Sequence, residues 1–369
     1  MTVVYPLTLY CLGLWVSIAF FRSLTPTLLA WTSFLWGALI WCIGQAVMLI
    51  TTIGATSLSM SLWCSAWLIG AAWMYWRQPR TDVNLTTIAT ITLTFGVTMF
   101  AAQFIRFPFV SPDSIKQLLV AEALITNPFP DNIYEEFGSW GLMLPSIHST
   151  AFWVGEAAWP TIQAAFAWSL LGVFGTASHQ ATGAYRRWLP IALLMGTTYF
   201  IVFQAAYIHN SIIAAAFLLP AVVLLWRAHT DDTAEHLYPA MLLFVGFAFT
   251  RTESVLYVGL FVALAVSYGH FTPQVWWRVM LPYVAITLVW QMWLLTIIVE
   301  DAIILTPERI MLLIIAIVGT FLSPLMLWIE PLRVLVANWM VRGMALLLLG
   351  IMLIDPNHMG VATLDFEEG

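Results

Sequence analysis

Charge is what this sequence lacks most. Only 9% of its 369 residues are Asp, Glu, Lys or Arg, whereas 61% are hydrophobic and the mean hydropathy is +0.89. A soluble domain of this composition would have too little polar surface to face water, so that class is excluded. Beyond the pair Arg186–Arg187 the sequence has no cluster of basic residues, so a nucleic-acid interface is excluded as well.

Cysteine is equally scarce, and the common catalytic motifs are missing. Cys11, Cys42 and Cys64 all lie inside apolar runs, where a thiol behaves as a small hydrophobic group. No Cys/His spacing typical of a metal or redox site occurs, so we predict no metal ligands. No P-loop, GxSxG or HExxH motif occurs in a matching context.

Long apolar runs make up most of the sequence. A run of about 17–25 apolar residues is long enough to cross the hydrocarbon core of a bilayer as a helix. We therefore predict an all-α fold, a polytopic transmembrane bundle of about twelve helices with one long loop that carries short interfacial helices. The predicted spans are 5–21, 28–50, 57–76, 85–105, 143–175, 189–208, 212–226, 237–250, 254–268, 279–299, 310–329 and 332–354.

We predict a single membrane domain over residues 1–369. It consists of a three-helix N-terminal addition (1–84), a core (85–268) that includes the loop 106–148, and C-terminal helices (269–369). The run 143–175 is too long for one straight crossing and is broken near Gly155–Pro160. It is a kinked helix, a half-helix followed by a crossing, or two short crossings.

The basic residues predict the orientation. If 143–175 crosses once, seven arginines fall in alternate loops, which the positive-inside rule assigns to the cytoplasm. They are Arg22, Arg77, Arg80, Arg186, Arg187, Arg227 and Arg278. We therefore expect a multi-pass plasma-membrane protein with loop 106–148 and both termini on the extracytoplasmic side. Two crossings in 143–175 would invert everything that follows.

Loop 106–148 holds a large share of the few charges. Ser111-Pro112-Asp113 is typical of a helix start, and an amphipathic interfacial helix should follow from Lys116 to Ile125. Its predicted apolar residues are Ile115, Leu118, Leu119, Ala121 and Ile125, and its predicted polar ones are Lys116, Gln117 and Glu122. Asp113 is either a cap of this helix or a general base that deprotonates an acceptor hydroxyl. Glu122 is more typical of a solvated face.

Other polar residues interrupt the later apolar runs. Arg251 and Glu253 stand in a break, 249–254, between two runs that could otherwise form one helix, and charge at membrane depth indicates pairing or function. They form a local ion pair, or Arg251 binds a lipid phosphate, whose geometry a guanidinium matches. His209 and His148 are structural hydrogen-bonding residues or participate in acid/base or phosphate chemistry.

Three short motifs, in this order, resemble the GT-C fold superfamily of integral membrane glycosyltransferases, which use polyprenyl-phosphate sugars. Asp113-Ser114-Ile115 with 120–124 resembles the acidic loop start and its juxtamembrane helix. The motif that leads into the next helix is resembled by Trp140-Gly141-Leu142-Met143-Leu144-Pro145-Ser146. A Thr-Arg-Pro-Glu element of the family is resembled by Phe249-Thr250-Arg251-Thr252-Glu253. The resemblance covers 85–268. Thr252 stands where that family has proline, and Trp140-Gly141 where it has Tyr-Pro.

The resemblance implies a transferase of the cell envelope that moves a sugar from a polyprenyl-phosphate donor to an acceptor hydroxyl. The resemblance also implies that Asp113 is the catalytic base and that Arg251, Lys116 and Arg106 bind the donor phosphate. Supporting residues would be Glu122, Glu253, His209 and His148. Whether a divalent metal assists is left open. The alternatives are a non-catalytic GT-C-like scaffold or accessory subunit of a membrane complex, and a lipid or solute transporter.

Overall fold

The computed structural model describes residues 3–78, 83–104, 112–126, 141–150, 152, 158–182, 210–251, 254–296 and 307–338. Within these residues the fold is helical throughout, without a β-strand. The α-helices are α1 (Val4–Phe20), α2 (Pro26–Ile50), α3 (Ser57–Arg77), α4 (Leu85–Ala102), α5 (Pro112–Thr126), α6 (Met143–Ser149), α7 (Trp159–Thr182), α8 (Asn210–Thr230), α9 (Leu237–Ala248), α10 (Ser254–Ser267), α11 (Pro273–Thr296) and α12 (Pro307–Leu322). Short 3-10 helices occupy Ala234–His236 and Ser323–Trp328.

Several of these helices can cross a membrane. In the described part of the chain, five are long and apolar enough: Pro26–Ile50, Leu85–Ala102, Asn210–Thr230, Pro273–Leu295 and Ile310–Trp328. Shorter apolar helices are Val4–Phe20, Ala234–Ala248 and Ser254–Ser267. The predicted transmembrane helix bundle is therefore confirmed. The predicted span 189–208 and most of 332–354 lie outside the described residues.

The predicted span 143–175 is not one continuous helix. Its described residues include the seven-residue α6, which ends before a turn at Thr150, and α7, which begins at Trp159. A helix of seven residues is about 10 Å long, so α6 is too short to cross a bilayer. The half-helix followed by one crossing stays a prediction, which agrees with the short α6.

Polar caps mark where the N-terminal helices begin. Thr25 Oγ1 accepts a hydrogen bond from Leu28 N (3.4 Å), and Pro26 occupies the first turn of α2, where its missing N–H costs nothing. Asn84 Oδ1 accepts from Thr87 N (3.0 Å) at the start of α4. Such caps satisfy backbone N–H groups that a helix leaves open, which is essential where water is scarce.

The core is built around α2, which packs against α1, α3, α4, α6, α7, α8 and α9. Two glycines let α1 and α2 cross closely. A Cβ on Gly13 would lie 1.9 Å from Ser33 O, and one on Gly37 would lie 1.9 Å from Leu9 O. Only a residue without a side chain fits such a crossing, as is common between membrane helices.

Contacts between loops show which connections share an end of the bundle. At one end Arg22 contacts Gln78 O, and Ser23 Oγ donates to Glu235 O (3.2 Å). At the other end Met143 N donates to Phe249 O (2.9 Å). If the predicted span 189–208 crosses once, both contacts agree with a single crossing between Met143 and Thr182, because two crossings would place the partners at opposite ends. The arginines of these connections gather at the first of the two ends, which we name the basic end: Arg22, Arg77 and Arg227.

Candidate functional site

Two motifs that are far apart in the sequence meet at the other end of the bundle. The Met143–Phe249 hydrogen bond joins the start of α6 to the end of α9. Gly141 has φ +73°, and a Cβ there would lie 2.4 Å from Phe249 O. Thr250 is fully buried and its hydroxyl donates to Phe247 O (2.6 Å). We name residues 141–143 with 249–250 the junction.

Arg251 follows the junction directly and is exposed. Its carbonyl accepts a hydrogen bond from Ser254 N (3.1 Å), which ties the turn to the start of α10. Arg251 is therefore an exposed cation that directly follows the junction. The predicted partner Glu253 lies outside the described residues, and so do Arg106 and His209.

The predicted interfacial helix is present as α5. It begins at Pro112, as the helix-start motif predicts, and Asp113 is its second residue, inside the first turn. The Asp113 side chain lies outside the described part of the structure. α5 packs against α6, so Asp113 is carried by a helix that contacts the same short element as the junction.

The buried and exposed faces of α5 do not separate apolar from polar residues. Ile115 (53% exposed) and Leu119 (59% exposed) point outward together with Lys116 and Glu122, whereas Gln117 is buried. The buried residues are Ser114, Gln117, Leu118, Val120, Ala121 and Leu124. The face that packs on α6 therefore follows the helical repeat from Ser114, not from Ile115. An outward surface that mixes aliphatic and charged side chains suits a membrane–water interface.

All seven residues of α6 are buried, and polar side chains hold the helix from both sides. Trp41 Nε1 donates to Ser146 O (3.1 Å), and Gln45 Nε2 donates to Ser149 Oγ (2.8 Å). From α7, Gln163 Nε2 lies 3.1 Å from His148 Nε2. In a membrane protein such hydrogen bonds fix the position of an element that apolar packing alone would leave free to slide.

His148 is held as a neutral group. The His148 ring is fully buried, where a charged imidazole would lose its hydration. Because the Gln163 amide nitrogen donates, His148 Nε2 accepts and the ring proton is on Nδ1. This favours the structural interpretation of His148 over an acid/base role.

An apolar groove runs along the outward face of α4, the helix that leads into loop 106–148. It has a volume of about 590 Å³ and is open to the surroundings. Its lining residues are Ala89, Thr92, Leu93, Gly96, Val97 and Phe100. Within the described residues no group of three or more His, Cys, Asp or Glu side chains could hold a metal ion.

Sequence reasoning missed the polar residues that hold α6. Gln45 lies within the predicted span 28–50 and Gln163 within 143–175, and both are fully buried. The sequence does indicate them, because a glutamine inside a predicted membrane span is costly unless it is hydrogen-bonded.

Comparison with known proteins adds no relative: no protein-family model, no curated protein and no solved structure matches this chain.

Proposed function

We propose that this chain is an integral membrane glycosyltransferase that moves a sugar from a polyprenyl-phosphate donor to an acceptor hydroxyl at the extracytoplasmic face of the plasma membrane. The observation that carries the proposal is that α5 and the turn before Arg251 both lie against α6 or the residues at its start. α5, which bears Asp113 and Lys116, packs on α6, and the junction ties α6 to the turn that precedes Arg251. Three motifs that the sequence relates only by order are thus brought to one short element.

The proposed reaction uses one acid/base group and a set of cations. Asp113 accepts the proton of the acceptor hydroxyl while that oxygen attacks the anomeric carbon of the donor sugar. The bond from the anomeric carbon to the phosphate oxygen breaks, and its electron pair leaves with the lipid phosphate. In-line attack inverts the configuration at that carbon. Arg251, with Lys116 and Arg106, stabilises the charge on the leaving phosphate.

Two further features support a lipid-linked substrate at this end. The groove on α4 has the apolar chemistry that an isoprenoid chain requires. The gathering of Arg22, Arg77 and Arg227 at the basic end supports a cytoplasmic assignment of that end, which makes the junction extracytoplasmic.

The complete burial of α6 favours a second candidate, a non-catalytic scaffold subunit of a membrane complex. Such a subunit would keep the helix arrangement while its loop contacts a partner and transfers nothing. The two candidates share the fold and differ in turnover, so activity separates them.

The test is transfer of labelled sugar from a panel of polyprenyl-phosphate sugars to acceptors in membranes that contain the protein. Asp113→Asn should lower the rate about 10²–10⁴-fold, the usual contribution of a general base. Asp232→Asn is the matched control, because Asp232 is an exposed carboxylate in the α8–α9 connection at the basic end. Transfer that is absent in the wild type would support the scaffold instead, and transfer that is equal in both variants would show that Asp113 is not the base.

A further inference from the structure

The helix α3 leaves one long side open to its surroundings. Its main contacts are with α1 and α2, and of its 21 residues only Met60 and Ala71 are buried. Large apolar side chains project from the outward side at helical spacings of three, four and seven residues, so they share one face. We name this face the α3 apolar strip, and its residues are Leu58, Leu62, Ile69, Trp73 and Trp76, all exposed. At 1.5 Å per residue the strip is about 27 Å long, so it faces most of the depth of a hydrocarbon core.

A cation lies where the strip reaches the basic end. The guanidinium carbon of Arg77 is 4.3 Å from the ring centroid of Trp73, one turn earlier in α3. The Trp73 ring packs edge-on against Trp76, with their centroids 6.3 Å apart. Tryptophan is favoured at the level of the lipid headgroups, and a cation is attracted to the face of its ring. The contact with Trp73 therefore holds the Arg77 charge at headgroup level, at the end of the apolar strip.

Arg22 brings a second cation to the same end of α3. Its Nη2 donates a hydrogen bond to the carbonyl of Gln78, the residue that follows Arg77 and caps the helix. A guanidinium carries five N–H groups, so this contact positions the Arg22 side chain and leaves other donors that can bind a ligand. Both arginines are exposed.

These two arginines differ from Arg227 in their counter-charge. Arg227 forms an ion pair with Asp231 (3.2 Å). Among the side chains that the structure describes, no carboxylate forms an ion pair with Arg22 or Arg77. Glu235 lies at this end too, since its carbonyl accepts from the residue after Arg22, but its carboxylate does not pair with either arginine. The end of α3 therefore combines an excess of positive charge with an adjoining apolar surface, which complements a molecule with an anionic head and an apolar tail.

We propose that the basic end of α3 binds an anionic phospholipid, with its phosphate at Arg22 and Arg77 and an acyl chain along the α3 apolar strip. A guanidinium matches the geometry of a phosphate and can bind it through two N–H groups at once. The cytoplasmic leaflet, to which the basic end is assigned, is rich in anionic lipids that attract such cations. The proposal does not rest on the proposed sugar transfer, because that reaction is placed at the opposite end of the bundle.

The test is a binding titration of the full chain in maltoside micelles, with phosphatidylglycerol as the anionic probe and phosphatidylcholine as the zwitterionic one. Wild type should bind phosphatidylglycerol more tightly than phosphatidylcholine. Arg77→Gln and Arg22→Gln should each weaken the binding of phosphatidylglycerol about fivefold, the factor that corresponds to roughly 1 kcal/mol for one arginine near an anionic surface. Arg278→Gln is the matched control, because it removes an exposed arginine of the basic side that lies on α11 and should leave the affinity unchanged.

Trp73→Leu separates a built site from charge alone. It keeps both arginines and an apolar side chain in the strip but removes the ring that holds Arg77. We expect it to weaken the binding of phosphatidylglycerol about twofold to fivefold, the range of an exposed cation–π contact. Arg77→Gln and Trp73→Leu change exposed side chains, so their melting temperatures without added lipid should equal that of wild type, which excludes unfolding as the cause.

Three results would overturn the proposal. The first is equal binding of the two phospholipids by wild type. The second is an equal loss in Arg278→Gln and Arg77→Gln, which would reduce the effect to net charge. The third is displacement of phosphatidylglycerol by an excess of inorganic phosphate, which would identify a site for soluble anions instead of a lipid.

Discussion

The junction depends on a glycine, which makes Gly141→Ala a sharp test of how α6 is tied to α9. At φ +73° an alanine is strained by about 1–2 kcal/mol. Its Cβ would also lie 2.4 Å from Phe249 O and 2.8 Å from Thr250 C, both backbone atoms of a buried turn, and such overpacking costs about 1–3 kcal/mol. We expect Gly141→Ala to lower the free energy of unfolding by about 2–5 kcal/mol in total.

The measurement is thermal or denaturant unfolding of the purified protein in a single detergent. Gly96→Ala is the matched control, since a Cβ there meets nothing within 4 Å and the residue is inside α4. That control should be neutral or stabilise the protein by up to about 1 kcal/mol through helix propensity. If Gly141→Ala proves as stable as Gly96→Ala, the close approach at the junction is refuted.

Three further changes test other parts of the fold. Gly37→Ala places a Cβ 1.9 Å from Leu9 O, so it should destabilise the α1–α2 crossing by about 1–3 kcal/mol; unfolding at the wild-type temperature would contradict that crossing. Gln163→Leu removes the amide that faces His148 Nε2 and should cost about 1–3 kcal/mol, measured by the same unfolding assay; no cost would mean that this hydrogen bond contributes nothing. In a protein without its three native cysteines, an impermeant maleimide applied to intact cells should label Thr51→Cys but not Gln78→Cys. Labelling of both cysteines from outside would disprove the assignment of residues 51 and 78 to opposite sides of the membrane.

The helix positions could be predicted because each helix is encoded locally. The predicted spans 5–21, 28–50 and 57–76 nearly coincide with α1, α2 and α3, since apolar runs fix the helices and Thr25 and Thr56 cap two of them. The break in 143–175 was also readable from composition. Whether it crosses once could not be read, because that depends on contacts such as Ser23 with Glu235, which join residues far apart in the chain.

The candidate site was predictable in its parts but not in its assembly. Polarity in an apolar sequence singles out Asp113 and Arg251, yet nothing local to 140–146 or 249–253 indicates that Met143 bonds to Phe249. The buried face of α5 could not be predicted from polarity, since the apolar Ile115 and Leu119 are exposed. The face that packs on α6 contains Gln117, and a polar residue is not expected on a buried face from the sequence alone.

The central claim, that the extracytoplasmic end binds a lipid phosphate through Arg251, is tested most directly by mass spectrometry of lipids that co-purify with the protein. Wild type is compared with Arg251→Gln and with Arg278→Gln, which changes an exposed arginine in the first turns of α11 on the basic side. The account predicts a polyprenyl phosphate, with or without its sugar, in wild type and Arg278→Gln, and its loss in Arg251→Gln. The same bulk phospholipids in all three samples, without a polyprenyl phosphate, would contradict it.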